Sequence, residues 1–493
     1  MSSSLLVVDV GTSSVRSSIV RPDSTVTDTM QRVVVPQSPG PGLVELDAVA
    51  IARAALETAA AALDAGGPAS IGGVGIASQR ASAVVWDRTS GAPLGPALGW
   101  QDLRTVLQCL ILQGEGLRLA PNQTATKLQA ILDEVDPDRQ RMAAGELCCG
   151  TIDAFIAWHL SGGTAFVTDA TNAGVSGLVL GSAVDYDDHV LEVLKIERQS
   201  LPRIVDSVGA VGTARALGYD LPICGIAGDQ QASLIGQGCT LPGMAKITFG
   251  TGGMLDLVTG QQRPAAPIRG DAGTFPIVAF QQGGEITWGV EAIMLSAGSC
   301  VEWLRDDLGI ITSPAETEVL AASCPDSGGA TFIPALLGLG TPVWDFGARG
   351  TLLGLTRGTG KAQICRAVLE GIAHRGADLV DAATADSGLE LGALRVDGGM
   401  SANAVFLQSL ADLSGRVVEV SPVLEATTLG AGYLAGLAIG TWSSTEVLAE
   451  VTTPRAKIEP RLDEAARLER RGRWLEDRTK AERTIPDLSS VSF

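Results

Sequence analysis

A strand, a turn of glycine and hydroxyl residues, and a second strand occur in both halves of the chain. The first copy is LLVVDVGTSSVRSSIV (residues 5–20) and the second is KITFGTGGMLDLV (residues 246–258). In the first, a buried apolar run is followed by an alternating one, the pattern of a β-hairpin. A chain that repeats this unit is expected to fold as two domains of related topology facing one another. Its length of 493 residues points the same way, because a single hydrophobic core rarely organises so long a chain. The division expected is 1–240 and 241–493.

Around the hairpins, strand and helix patterns alternate. DAVAIARAALETAAAALDA (47–65) reads as a helix with Asp47 at its N-cap, and IGGVGIASQ and AVVWD read as strands. Such alternation predicts a mixed sheet flanked by helices, an α/β fold. Helical spacing dominates 101–160, and strand and turn patterns return over 163–225. A helix is predicted over 291–309, a Gly/Pro-rich loop over 332–350 and a long helix over 361–384. LRVDGGMSAN reads as a strand ending in a Gly turn that opens a helix at Ala404. The apolar stretch 426–442 is short and Gly-rich, which suits a buried helix better than a membrane span. Beyond 455 the chain is highly charged and predicts a surface helix with Leu and Trp on one side and its arginines on the solvated side.

Composition removes several classes of function. A net charge of −19 disfavours a general nucleic-acid surface, which requires clustered Lys and Arg. The eight cysteines are scattered without CxxC spacing and there are three histidines, so thiolate or imidazole metal sites are not expected. Buried reduced thiols in a cytoplasmic protein are expected instead. MSSSLLVVDVG lacks the basic start of a signal peptide.

The chemistry concentrates in three turns and one acid. Asp229 ends an apolar run, about twenty residues before Gly250-Thr251-Gly252-Gly253, so a proton-accepting carboxylate lies close in sequence to backbone N–H groups able to hold phosphate. In DVGTSSVR, Asp9 stands at a strand end beside a turn that could grip phosphates. Asp9 would hold Mg²⁺ through water, since Mg²⁺ prefers few carboxylates together with phosphate oxygens. Arg16 would offset charge on the transferring group. Asp397-Gly398-Gly399 with Asn403 could receive a nucleoside against bare backbone. GxGxxG and GxxxxGK[ST] are absent, which argues against a Rossmann or Walker-type nucleotide site.

Taken together, DVGTSSVR, GIASQRASAVVWD, LGWQDLRT, VTDATNA, GIAGDQQASLIGQ, KITFGTGG, SAGSCVEWLRDDLG, ARGTLLGLTRG and LRVDGGMSAN resemble the FGGY carbohydrate kinases over essentially the whole chain. The resemblance implies two actin-like, ribonuclease-H-like domains with a cleft between them. It also implies transfer of the γ-phosphate of MgATP to a hydroxyl of a sugar or polyol. On this basis Asp229 is the expected general base, and Arg80, Trp100, Asn122, Asp229 and Gln230 the acceptor contacts. Thr12, Ser13, Ser14 and Arg16 are expected on the ATP phosphates, and Thr251, Gly298, Glu302, Gly399 and Asn403 on the rest of the nucleotide. Asp9 is the expected magnesium residue. The expected partner is a small polyol or sugar, with neither nucleic acid nor membrane involved and a homo-oligomer left open.

Some positions depart from the glycerol-phosphorylating members of the family. Their arginine is followed by a glutamate where Ala81 stands, their tyrosine falls at Asn122, and the phenylalanine after the second turn is Met254. Leaving a substrate hydroxyl unpaired costs about 1–3 kcal/mol, and the space released would suit a tetritol, a pentitol or xylulose. The competing reading is a non-catalytic sugar- or nucleotide-responsive protein on the same fold. A nucleotide-side glutamine is changed to Glu302. The Gly-Gly-Thr-Arg-type loop that binds fructose bisphosphate in some bacterial members is replaced by VGTARALGYDLP. No inhibition by that sugar phosphate is expected, and clear inhibition at millimolar concentration would contradict this.

Overall fold

Hairpins and crossover strands build the same arrangement twice. The computed structural model describes residues 3–179, 181, 183–266, 268–423 and 425–491. In the first half, strands β1 (Ser4–Val10), β2 (Ser14–Val20) and β3 (Val26–Val33) form an antiparallel meander. Helix α1 (Ala48–Gly66) follows, its first turn capped where Asp47 accepts from the Ala50 amide. β4 (Ile71–Ser78) then joins β1 in parallel. Helices α2 (Thr124–Val135) and α3 (Ile152–Leu160) intervene before β5 (Val208–Thr213) and β6 (Pro222–Gly228), the latter parallel to β4. Helix α4 (Asp229–Gly236) starts directly at the end of β6.

The second half repeats this order. β7 (Ala245–Phe249) and β8 (Gly253–Gly260) form the hairpin, β9 (Phe275–Gln282) and β10 (Glu285–Met294) form another, and β10 pairs antiparallel with β8. After helices α5 (Gly298–Asp306) and α6 (Lys361–Ser387), strand β11 (Leu394–Asp397) returns parallel to β7. Helix α7 (Ala404–Ser414) leads to β12 (Val418–Val420), parallel to β11. Helix α8 (Ala426–Ile439), edge strand β13 (Ala456–Ile458) and helix α9 (Glu464–Thr479) complete the chain. Among the described residues the two sheets join edge to edge as thirteen strands, with β5 meeting β9 at the pair Val208 and Gln282. The molecule is thus a two-domain α/β protein of duplicated topology.

Both faces of the first sheet are covered, so β1 reads as a continuous apolar run rather than an alternating one. Leu6, Val8 and Val10 enter the core under α1, whereas Leu5 and Val7 enter a second core under α8. Helix α8 comes from the second half of the sequence but lies on the first half's sheet, burying Leu429, Tyr433 and Leu434 there. Fully burying each such side chain is worth about 1.5–3 kcal/mol. α8 crosses α4 at backbone contact, and a Cβ on Gly430 would sit 1.7 Å from the Ala232 carbonyl oxygen. Only glycine allows that crossing.

Several sequence expectations need correction. Residues 285–294 are strand β10, where helical spacing predicted a helix over 291–309; the helix is confined to α5. An apolar run of that length fits either period, and pairing on both sides, Glu291 with Asp256 and with Phe275, decides for the strand. Within the mainly helical region, Leu147–Gly150 pairs antiparallel with Val84–Asp87. The strand-and-turn region 163–225 also holds helices Ala170–Gly174 and Asp188–Leu194.

The arginines of α9 are not all solvated either. Arg471 is buried and donates to Asp378 of α6 at 2.6 Å, Arg375 does so at 2.6 Å and Arg478 at 3.2 Å. The indole of Trp474 also donates to that carboxylate, and its ring stacks on His374. Burial alone would raise the Asp378 carboxyl, but the three guanidiniums hold it down to about 2.

Candidate active site

The end of β6 brings the residues of the site together, because the chain passes there from a buried strand directly into α4. Asp229 opens that helix and Gln230 follows. The Gly228 amide before them donates to Thr171 at 2.8 Å, fixing the junction. Burial raises the Asp229 carboxyl above the ordinary value near 3.8, with Arg80 beside it acting in the opposite direction. Arg80 Nε lies 3.6 Å from Asp229 Oδ1, and Arg80 Nη2 donates to Glu291 at 2.6 Å. Arg80 Nη1 is buried and has no hydrogen-bond partner among the described residues. A guanidinium donor aimed into a polar site without an acceptor suits a hydroxyl ligand.

The first hairpin turn, Gly11-Thr12-Ser13, closes with the Gly11 amide donating to the Ser14 carbonyl at 3.0 Å. Ser13 is exposed at its tip and Ser14 half-buried behind it. Thr12 is tied to the acceptor side, accepting from the Trp100 indole at 3.3 Å. Asp9 and Arg16 face each other across the hairpin. Burial, with the charge of Asp229 nearby, pushes the Asp9 carboxyl up to about 6, against the pull of Arg16. Asp9 accepts from Thr428 at 3.3 Å, and Arg16 pairs with Glu425, so the start of α8 is bound to this hairpin. An Arg16 that reached a phosphate would have to leave Glu425.

The second turn, Gly250-Thr251-Gly252, is exposed and buttressed by the start of α5. The Gly298 amide donates to the Gly250 carbonyl at 2.9 Å and the Ala297 amide to Thr251 at 2.8 Å. The third, after β11, has Gly398 at φ 85°, a left-handed conformation suited to glycine. Gly399 beside it faces open space. Asn403 caps α7, accepting from the Phe406 amide and donating to Thr317 at 3.1 Å. Glu302 is exposed on α5, and Asn122 is exposed in the turn before α2.

Four functional candidates escape a reading of the sequence. Lys127 of α2 is fully buried and donates to the carbonyls of Ala81 at 3.2 Å and Trp100 at 3.3 Å. Burial lowers its amine to about 7. It holds Ala81 at φ 59°, a conformation that costs a non-glycine residue about 1–2 kcal/mol. Lys246, Asp256 and Glu291 lie on neighbouring strands close to Asp229 and Arg80. The only signal for them is charge inside apolar runs, which becomes informative once β10 is recognised as a strand.

The arrangement can deprotonate a hydroxyl at Asp229 while backbone turns from both halves hold phosphates. If Asp229 is the base, kcat/KM has an acid limb, because its carboxyl accepts a proton only when ionised. Its raised pKa places that limb above the ordinary carboxylate value near 3.8. The measurement is kcat/KM from pH 4 to 8, with a flat profile down to pH 4 as the contrary outcome.

Similarity to known proteins runs along most of the chain. The FGGY family of carbohydrate kinases matches with its N-terminal domain over residues 4–236 and with its C-terminal domain over 245–439. The sequence is 43% identical to a glycerol kinase of Aromatoleum aromaticum, over 95% of this chain and 97% of that one. It is 38% identical to glycerol kinase 2 of Thermotoga maritima, over 96% and 97%. A crystal structure of Plasmodium falciparum glycerol kinase with ADP matches with a TM-score of 0.90 at 26% identity, covering 97% of this chain and 98% of that one. A ligand-bound xylulose kinase from Lactobacillus acidophilus, 21% identical, shares the fold with a TM-score of 0.84 over 97% and 98% of the two chains.

Proposed function

Since the chain belongs to the FGGY family of carbohydrate kinases, phosphotransferases acting on a hydroxyl group, we propose that it moves the γ-phosphate of MgATP to a terminal hydroxyl of glycerol. The observation that carries the reading is Asp229 at the end of β6, beside Arg80 and with a glycine-and-hydroxyl turn in each half of the protein. Asp229 takes the proton of the attacking hydroxyl. Arg80, Trp100 and Gln230 orient the acceptor, and the turns at 11–13 and 250–252 hold the phosphates. Gly399 leaves room for the nucleoside. Phosphoryl transfer needs positioning and charge neutralisation more than covalent chemistry, so no phosphoenzyme is required.

Asp9 is the residue for Mg²⁺. Its carboxyl is raised chiefly by burial, and it stands at the end of β1 beside the hydroxyl-rich turn, where a cation shared with phosphate oxygens would offset the cost of burying its charge. When bound, the ion neutralises charge developing on the phosphates. The halves 1–240 and 241–493 serve as acceptor and nucleotide units. Eight free, buried cysteines accord with a reducing, cytoplasmic setting. Among the described residues no helix is long and apolar enough to cross a membrane.

A longer polyol is the second reading. Ala81 is buried beside Arg80 and carries no side-chain hydrogen-bonding group, so a larger acceptor has fewer polar obligations to meet there. The test is ADP release with MgATP across glycerol, erythritol, threitol, pentitols and xylulose. Glycerol is expected to give the highest kcat/KM. A tetritol, pentitol or xylulose in that position would transfer the assignment to it, and no turnover across the panel would favour a non-catalytic protein.

A further inference from the structure

We infer that Lys246, Asp256 and Glu291 are positioning residues, a buried row of charges that holds the two acceptor-side residues Arg80 and Gln230 in place and thereby sets affinity for the acceptor. The inference rests on the reading of Arg80 and Gln230 as acceptor contacts.

The strand register creates the row. Lys246 of β7 stands directly opposite Asp256 of β8, and Asp256 directly opposite Glu291 of β10, so the three side chains share one face of the sheet. Lys246 and Asp256 are fully buried and Glu291 nearly so. Lys246 Nζ lies 2.8 Å from Asp256 Oδ2. Each end of the row then grips one side chain from the first half of the chain. Lys246 donates to Gln230 Oε1 at 2.7 Å, and Glu291 accepts from Arg80 Nη2 at 2.6 Å.

Such burial of charge is costly unless every group is partnered. The ammonium of Lys246 donates to Gln230 and Thr248 and forms an ion pair with Asp256, whose two buried oxygens have no hydrogen-bond partner among the described residues. With Lys246 donating to its carbonyl oxygen, Gln230 has its amide nitrogen free for an acceptor hydroxyl. With Nη2 committed to Glu291, Arg80 has Nη1 left, the buried donor that finds no acceptor among the described residues. The row therefore determines which atoms of Arg80 and Gln230 remain to meet a substrate. The guanidinium of Arg80 is thus oriented by two carboxylates, Glu291 at Nη2 and Asp229 at Nε.

The experiment measures KM for the best acceptor and for MgATP, with kcat and melting temperature, in Glu291→Gln, Arg80→Ala and the double variant. Glu291→Gln keeps an acceptor oxygen for Arg80 Nη2 but removes the negative charge, and is expected to raise acceptor KM roughly fivefold to tenfold, the difference between a charge-assisted and an ordinary hydrogen bond. MgATP KM should stay within a factor of two or so of wild type. Because Glu291 acts through Arg80, the double variant should match Arg80→Ala rather than show the product of the two effects. Multiplying effects, or parallel rises in both KM values, would overturn the inference. If Glu291→Gln does not fold, the paired change Lys246→Met with Asp256→Leu removes both charges at once, a replacement buried ion pairs commonly tolerate. Acceptor KM should again rise, and an unchanged value would overturn the inference. A wild-type protein with no turnover on any acceptor would instead refute the proposed reaction.

Discussion

Asp229→Asn is expected to lower kcat by about 10²–10⁴-fold, the usual contribution of a positioned general base, while leaving affinity for MgATP unchanged. Asparagine keeps the shape of the side chain and can still accept the Gln230 amide bond that Asp229 Oδ1 accepts at 2.8 Å. What it loses is the capacity to take a proton. The nucleotide-side turns at 250–252 and 398–399 stand on the β7–β8 hairpin and after β11, separate from the β6–α4 junction that carries this carboxylate, so nucleotide affinity is a fair control. Single-turnover transfer and ATP binding followed by tryptophan fluorescence separate the two quantities. If the variant kept more than a tenth of wild-type kcat, Asp229 would not be the base, and the acceptor proton would have to leave by way of solvent.

The second large effect lies away from Asp229, where α9 packs on α6. Asp378→Ala should destabilise the second half by about 3–5 kcal/mol, the usual result of removing one member of a buried charge cluster. Three guanidiniums, those of Arg375, Arg471 and Arg478, converge on this carboxylate, and Trp474 also donates to it. Without it three cations would face one another with little water. A fall in melting temperature of roughly 6–20 °C is expected for a unit of this size, with α9 detaching first, which hydrogen exchange over 464–479 would register. A melting temperature within 2 °C or so of wild type would mean that water or chloride replaces the carboxylate. The cluster also implies a pH response. Because the Asp378 carboxyl sits at about 2, below its unfolded value, its contribution is full at neutral pH and is lost as pH falls from the ordinary value near 3.8 towards 2.

Much of this architecture is written locally. The hairpins at 4–20 and 245–260, the capped helix after Asp47 and the long helix from Lys361 agree with patterns a few residues wide. The acid at the strand end, Asp229, and the turns that surround it were legible for the same reason. What escaped depends on partners distant in sequence. Residues 291–294 carry an apolar run that either period accommodates, and only β8 and β9 on either side make it a strand. Missing that strand hid the alignment of Glu291 with Asp256 and Lys246. Nothing in the helical spacing of 101–160 singles out Lys127, whose amine is drawn inward by two carbonyls on other segments. Arg471 looked solvated until Asp378, almost a hundred residues earlier, came to meet it.

Helix α8 also sets a timetable for biosynthesis. The sheet face that carries Leu5, Val7 and Val20 waits for a cover made from residues 429–442. A ribosome working from the N-terminus therefore exposes an apolar sheet for most of the time needed to translate the chain, and the first half cannot finish folding before the second is nearly made. A fragment ending near residue 240 should accordingly aggregate or recruit chaperones, and adding α8 as a separate peptide should restore its solubility.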